Sequence, residues 1–338
     1  MRTPIAILAA STLLLAGRND LRGDTFRHVS FALSLAPTST RSAAQADTPR
    51  EGRLAVQGGS IWYRVSGEGR GTPVILLHGG PGYSSFYLKP LEALGNDRPV
   101  VRYDQLGGGR SDRTSDTTLF TIAHFVGELE ALRAHLGYER VHLVGHSWGT
   151  ILAFEYYRAH PEHVASLTLE SPALDIPTWE RNARRMVGTL PDSMQRAIRV
   201  HEADGTFDAP EYQAAVGEFM QRFVMRRPVQ ADLDSLMSTV NADLYNYMQG
   251  PSEFTITGTL KRYNVAPLLG SVRVPTLYTV GEYDEAGPPT VRHFAELTPG
   301  ARVVVIPGAA HLTQWDAPEA NVAALRDFLR SVDAGPAH

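Results

Sequence analysis

Residues 145–149 read Gly-His-Ser-Trp-Gly, which has the residue types and spacing of a serine nucleophile on a sharp turn. A β-prone run of four residues, three of them apolar, precedes this segment at 141–144, and a run typical of a helix follows at 150–160. Between a strand and a helix, small flanking residues permit a strained turn that exposes the serine hydroxyl beside a helix N-terminus. A glycine-rich turn with an idle serine is the alternative interpretation. The flanking context favours Ser147 as a nucleophile.

A serine hydroxyl becomes reactive near neutral pH when a base removes its proton and an acid orients that base. Asp284 and His311 are the candidates, because each follows a β-prone run, at 275–280 and 302–306, at the edge of a sheet where such sites are built. An acidic loop residue and a surface histidine are the alternatives. The chain order Ser147, Asp284, His311 favours a catalytic triad.

The same chemistry needs backbone N–H groups that stabilise a negatively charged oxygen. Residues 78–82, His-Gly-Gly-Pro-Gly, directly follow the apolar run 74–77. Glycines there allow the backbone to approach a substrate closely. We therefore predict that the N–H groups of Gly80 and Trp148 form an oxyanion hole.

Other chemistries have little support in the sequence. The chain has no cysteine, which excludes a thiolate metal site and a cysteine nucleophile. His201-Glu202 lacks the second histidine of a zinc-binding helix, and the glycines at 107–109 lack the Gly-Lys-Ser/Thr element of a phosphate-binding loop. With 32 basic against 36 acidic residues and no basic run, nucleic-acid binding is disfavoured. We predict no metal, no cofactor and no nucleic-acid partner.

The elements that would position these residues alternate between β-prone runs and helical patterns. Strands are predicted at 54–57, 60–65, 74–77, 100–103, 141–144, 165–169, 275–280 and 302–306, and helices at 122–136, 150–160, 290–297 and 319–332. This alternation is typical of an α/β fold with a mostly parallel, doubly wound sheet. Residues 171–264 interrupt it with helical patterns at 194–202 and 211–225 and no convincing strand. We predict a core of residues 47–170 and 265–338 with an inserted helical cap at 171–264.

Residues 1–46 have the pattern of a signal or leader segment. Arg2 precedes 13 mostly apolar residues at 4–16, too few to cross a bilayer, and Ala44-Gln45-Ala46 resembles a cleavage site. Arg18 follows the apolar run where a lipoprotein would have cysteine, so no lipid anchor is expected. We predict an exported protein, periplasmic or secreted, without a stable membrane anchor; if the segment is no signal peptide, the protein is cytoplasmic.

Taken together, the motifs resemble those of the prolyl aminopeptidases, or proline iminopeptidases, including the tricorn-interacting type. The resemblance covers roughly residues 52–329 and rests on six motifs. These are 78–82 (HGGPG), 103–107 with 109–111 (YDQLG with GRS), 145–149 (GHSWG), 250–254 (GPSEF), 281–285 (GEYDE) and His311. It implies an α/β-hydrolase fold and a serine aminopeptidase that releases an N-terminal residue, proline preferred or tolerated. The substrates would be short peptides or amino-acid amides with a free N-terminus.

The resemblance also implies that Glu253, from the cap, and Glu285, beside the triad aspartate, hold the substrate's free α-amino group. Two carboxylates in a partly desolvated pocket can bind an ammonium through charge-assisted hydrogen bonds. A pair of exposed acids is the alternative. Tyr245 and Tyr247 are candidates for the wall of the side-chain pocket, with packing inside the cap as their alternative role.

Two other functions fit the same sequence. An amino-acid amidase, esterase or lactonase would use the same fold and triad. Epoxide and haloalkane chemistry is disfavoured because position 147 is serine rather than aspartate. A non-enzymatic ligand-binding protein could keep the scaffold alone, but the complete set of Ser147, Asp284 and His311 argues against it.

Overall fold

The computed structural model describes residues 50–335. The predicted signal segment and its cleavage site after Ala46 lie outside these residues. In the part of the chain that the structure describes, no helix is both long and apolar enough to cross a bilayer.

An eight-stranded sheet forms the centre of the fold, in the order β1-β2-β4-β3-β5-β6-β7-β8. The strands are β1 (Arg50–Val56), β2 (Gly59–Ser66), β3 (Val74–Leu77), β4 (Val100–Asp104), β5 (Val141–His146), β6 (Val164–Glu170), β7 (Thr276–Gly281) and β8 (Arg302–Ile306). The pairs β1–β2 and β2–β4 are antiparallel and the other five pairs are parallel. The predicted α/β class with a mostly parallel sheet is confirmed.

Ten α-helices accompany the sheet within residues 50–335. They are α1 (Ile122–His135), α2 (Trp148–Ala159), α3 (Ile176–Val187), α4 (Asp192–Asp204), α5 (Pro210–Phe219), α6 (Gln230–Met237), α7 (Ala242–Met248), α8 (Pro288–Leu297), α9 (Thr313–Asp316) and α10 (Pro318–Asp333). Side chains of α1, α2 and α8 share one buried cluster, and those of α10 and a 3₁₀ segment (Ser85–Asn96) share another. Alternate residues of β3 enter the two clusters, as the period of two in a strand requires. Helices therefore cover both faces of the sheet.

The long insertion between β6 and β7 carries α3 to α7 and a π-helical turn (Met220–Val224). Residues 171–275 are all described and contain no strand of the sheet. A backbone bridge between Asp175 and Asn264 joins the points where the chain enters and leaves. The insertion, which we call the cap, thus leaves and re-enters the core at adjacent points.

The end of α10 is fixed to the sheet by an ion pair that we call the C-terminal clasp. One carboxylate oxygen of Asp333 lies 2.8 Å from the guanidinium of Arg98, and the other lies 3.2 Å from His142 Nε2. Burial lowers the pKa of His142 to about 4, so this imidazole is neutral at pH 7. Arg98 is only 1% exposed and therefore depends on Asp333 for its counter-charge.

We expect Asp333→Asn to lower the free energy of unfolding by about 2 kcal/mol, because it leaves the buried Arg98 guanidinium without a counter-charge. Urea denaturation followed by tryptophan fluorescence measures this loss. Asp327→Asn is the matched control, since its side chain is 76% exposed and pairs with Arg302 on the surface. That control should change stability by less than about 0.5 kcal/mol. Equal losses in the two variants would contradict the role of the clasp.

Candidate active site

Ser147 lies on the turn between β5 and α2 with φ 55° and ψ −121°, a backbone conformation that L-residues rarely adopt. The glycines on either side are required by close backbone contacts. A Cβ at Gly145 would lie 2.2 Å from the Gly149 carbonyl oxygen, and one at Gly149 would lie 2.1 Å from the Leu77 carbonyl oxygen. The structure therefore contains the tight strand–turn–helix that the sequence predicts, with Ser147 at its apex.

Asp284 and His311 form a hydrogen-bonded pair, with Asp284 Oδ1 2.9 Å from His311 Nδ1. Both side chains are buried, and Asp284 also accepts the N–H of Ala286 at 2.9 Å. Burial raises the pKa of Asp284, but the charge and hydrogen bond of His311 outweigh it and hold the pKa below its ordinary value. Asp284 is therefore a carboxylate near neutral pH and can orient the imidazole.

Ser147 and His311 line the same cavity. Among the described side chains no hydrogen bond joins them, as is common where a catalytic pair tightens only around substrate. The structure thus brings the three predicted triad residues, from three different loops, to one edge of the sheet. This set can activate a hydroxyl for attack on a carbonyl carbon.

The N–H groups of Gly80 and Trp148 donate to no acceptor within residues 50–335. Gly80 has φ +113°, a conformation that favours glycine, and Trp148 is the first residue of α2. Both residues line a second cavity together with Ser147. Two unpaired N–H groups beside a nucleophile can stabilise the oxyanion of a tetrahedral intermediate.

A chain of hydrogen bonds under the site connects the loop of Gly80 with that of His311. The Gly79 N–H donates to the Tyr87 hydroxyl (2.6 Å), which donates to His146 Nδ1 (2.8 Å). His146 Nε2 then donates to the backbone oxygen of His311 (2.9 Å). Burial lowers the pKa of His146 to about 3, so it stays neutral and serves as a brace. Tyr87 was not predicted from the sequence, because it belongs to no local motif and lies in the 3₁₀ segment, which was not predicted either.

Two carboxylates lie beside the triad. Glu285 is completely buried, neither of its oxygens accepts a hydrogen bond from a described residue, and Oε1 is 4.0 Å from His311 Nε2. Burial and repulsion from Glu253 and Asp284 raise the pKa of Glu285 well above its ordinary value. Burial also raises the pKa of Glu253, whose Oε1 accepts a hydrogen bond from the Tyr245 hydroxyl at 2.7 Å. Such a pair is a strong site for a cationic ligand.

The two candidate pocket tyrosines have different positions. Tyr245 is buried and contacts Glu253, so it supports the carboxylate pair. Tyr247 is 41% exposed, packs edge-on against Phe120 and lines neither cavity at Ser147. Side chains two residues apart on a helix, here α7, point to different sides, so the sequence pair could not both face one pocket.

Ser147, Gly80 and Glu253 lie at the junction of a larger and a smaller cavity. His311 lines only the larger one. The apolar wall of the larger cavity consists of Met220, Val224, Met225, Leu236 and Leu312. The smaller cavity is lined by Trp148, Ile151, Ala173, Ile176, Trp179, Gln249 and Leu260. A substrate bound across Ser147 would therefore have one part in each cavity.

The chain is similar to known α/β hydrolases and proline iminopeptidases. The profile of the α/β hydrolase fold matches residues 72–318. A proline iminopeptidase from Heyndrickxia coagulans is 44% identical over 285 residues, covering 83% of this chain and 99% of the relative. A proline iminopeptidase from Saccharolobus solfataricus is 35% identical over 292 residues, covering 83% of this chain and 93% of the relative. The crystal structure of proline iminopeptidase from Mycobacterium smegmatis matches with a TM-score of 0.78 at 33% identity, covering 84% of this chain and 99% of that structure. The chain belongs to the α/β-hydrolase fold and, within it, to the proline iminopeptidase family.

Proposed function

We propose that the protein is a serine aminopeptidase that releases an N-terminal residue, proline preferred or tolerated, from short peptides and amino-acid amides. The observation that carries this proposal is a pair of carboxylates at the triad: Glu253 lines both cavities at Ser147, and Glu285 Oε1 lies 4.0 Å from His311 Nε2. Glu285 is buried without a hydrogen-bond donor, and a free α-ammonium would supply the missing positive charge. An ester or lactone without an amino group would leave these carboxylates unpaired.

In the proposed mechanism, the Ser147 hydroxyl attacks the scissile carbonyl while His311 Nε2 takes its proton. Asp284 orients the imidazole, and the N–H groups of Gly80 and Trp148 stabilise the oxyanion. His311 returns the proton to the leaving nitrogen, the C–N bond breaks, and an acyl-enzyme forms. Water then attacks the acyl group, gives one proton to His311, and the released Ser147 oxygen takes that proton back.

The two cavities divide the substrate between them. His311 must reach the leaving nitrogen, and it lines only the larger cavity. The leaving part of the peptide therefore lies in that cavity, and the N-terminal residue occupies the smaller one. Glu253 lines both, which allows it to reach an α-amino group next to the scissile bond.

We expect Glu253→Gln to lower kcat/KM for free-amine substrates by about 10- to 100-fold, because a neutral amide loses the charge-assisted hydrogen bond to the ammonium. The ratio of kcat/KM for Pro-β-naphthylamide to that for its N-acetylated form reports this loss. Glu211→Gln, which removes an exposed carboxylate elsewhere in the cap, should leave the ratio unchanged. If Glu253→Gln keeps the preference for free amines, Glu253 does not bind the amino group.

The function itself is tested by comparing four substrates of the purified protein. These are Pro-β-naphthylamide, its N-acetylated form, the alanine analogue and a simple p-nitrophenyl ester. Cleavage limited to the free-amine substrates supports an aminopeptidase and ranks proline against alanine. Ester cleavage that does not depend on a free amine would instead favour the esterase alternative with the same triad.

A further inference from the structure

One segment of the cap, residues 223–227, is hydrogen-bonded to both loops that carry the triad acid and base. The Phe223 carbonyl accepts the N–H of Glu285 at 3.3 Å and the N–H of His311 at 3.2 Å. The Val224 carbonyl accepts the N–H of Leu312 at 2.8 Å. The two loops thus meet at a single oxygen atom that belongs to the cap. We call residues 223–227 the bridging segment.

The other side of the bridging segment is held by one carboxylate. Asp316 Oδ1 accepts hydrogen bonds from the backbone N–H groups of Arg226 and Arg227, each at 2.8 Å. Asp316 Oδ2 accepts the N–H of Ala310, next to His311, also at 2.8 Å. Asp316 is 3% exposed, so water cannot readily replace these three bonds. One side chain therefore connects the cap directly to the loop of the catalytic histidine.

We propose that Asp316 is a positioning residue that couples the cap to the alignment of His311 and Glu285; this inference rests on the proposed function. Without the bridging segment, the N–H groups of Glu285 and His311 would lose their shared acceptor, and both loops would be less constrained. A displacement of about 1 Å at reacting atoms lowers turnover about a hundredfold. Attachment of the bridging segment to Asp316 and alignment of the triad loops are then coupled.

The chemistry of the carboxylate is essential to this role. A carboxylate can accept hydrogen bonds at both oxygens, and bonds to an ionised acceptor are the stronger ones. An asparagine side chain has only one oxygen. Its NH₂ group would face either the backbone N–H of Ala310 or the backbone N–H groups of Arg226 and Arg227, and an NH₂ group cannot accept a hydrogen bond from them. Asp316→Asn therefore breaks the connection on one side or the other, although the side chains are nearly equal in size.

The test compares Asp316→Asn with Asp316→Glu and with the surface control Asp327→Asn. Active sites are counted with a fluorophosphonate, so that kcat is expressed per reactive Ser147 and misfolded protein does not contribute. We expect Asp316→Asn to lower kcat per site on Pro-β-naphthylamide by tenfold or more. If wild type also cleaves the p-nitrophenyl ester, kcat per site on the ester should fall by a similar factor. Asp316→Glu should recover part of the loss, and Asp327→Asn should match wild type.

Hydrogen exchange gives a second measure that does not depend on activity. In Asp316→Asn, the amides of residues 226, 227, 285, 311 and 312 should exchange at least tenfold faster, whereas those of β3, β5 and β6 keep their wild-type rates. A kcat per site within twofold of wild type, or equal loss of protection throughout the sheet, would overturn the proposal. If wild type itself fails to cleave Pro-β-naphthylamide, the proposed function fails, while the exchange pattern still decides the role of Asp316.

Discussion

Ser147→Ala should lower kcat on Pro-β-naphthylamide by about a million-fold, because removing the nucleophile of a triad costs about as much as removing the whole triad. The rates are measured with purified enzyme at saturating substrate. The loss should not reflect unfolding, since Ser147 is held at φ 55° by the turn and alanine removes only a hydroxyl. The thermal melting temperature should therefore stay within a few degrees of wild type.

Ser171→Ala is the matched control for this variant. Ser171 is buried, is the other non-glycine residue with positive φ in the described chain (48°), and its hydroxyl donates to the His311 carbonyl at 3.1 Å. It is close to the site without being a nucleophile, and we expect its loss to lower kcat by no more than about tenfold. Near-normal turnover by Ser147→Ala would exclude the proposed acyl-enzyme mechanism.

Asp284→Asn should lower kcat by about ten-thousandfold, which is the usual effect of giving the triad histidine the wrong tautomer. The amide can donate to His311 Nδ1, which would move the imidazole proton to Nε2, the atom that must accept the serine proton. Because the pKa of Asp284 lies below its ordinary value, the carboxylate persists from neutral pH down through the usual range of aspartate. A fall of wild-type activity between pH 7 and 6 would therefore not come from Asp284.

Glu282→Gln controls for the loss of a charge in the same loop. Glu282 is exposed and accepts the Gly308 N–H at 2.9 Å, so it lies close to Asp284 in sequence but outside the site. This variant should keep kcat within about threefold of wild type. Losses of similar size in Asp284→Asn and Glu282→Gln would mean that Asp284 acts through loop stability rather than through His311.

Much of the sheet could be predicted because its signal is local. The runs at 74–77 and 302–306 form strands with the predicted bounds: the first is a buried apolar strand in the middle of the sheet, and the second is a valine-rich, half-buried strand at its edge. The predicted helix at 319–332 likewise forms α10 with one further residue at each end. In these segments burial and intrinsic propensity favour the same structure.

Other elements depend on contacts that the local sequence does not record. The apolar spacing at 211–225 predicts one helix, but α5 ends at Phe219 and the chain continues as a π-helical turn. In that turn the Phe223 carbonyl is used by two loops from the core rather than by the helix. The 3₁₀ segment Ser85–Asn96 was not predicted either, because Pro90 inside it argues against a helix.

The residues of the active site likewise differ in whether the sequence alone could predict their role. Ser147, Asp284 and His311 were recognisable because each occupies a fixed place after a strand. Asp316 and Tyr87 were not, since Asp316 binds the backbone of Arg226 and Tyr87 binds His146, about 90 and 60 residues away in sequence, and only the tertiary structure brings these partners together. A lone aspartate at the end of a short helix gives no such indication by itself.

The positions of the triad and of the C-terminal clasp in the sequence have a consequence for the nascent chain during translation. Ribosomes supply Ser147 well before Asp284 and His311, and Asp333, which fixes α10 to Arg98, is added after all three. Until residue 311 has been added, the nucleophile therefore exists without its base, and α10 cannot be fixed to Arg98 before residue 333 has been added. A prematurely terminated chain that lacks His311 would have no general base for Ser147.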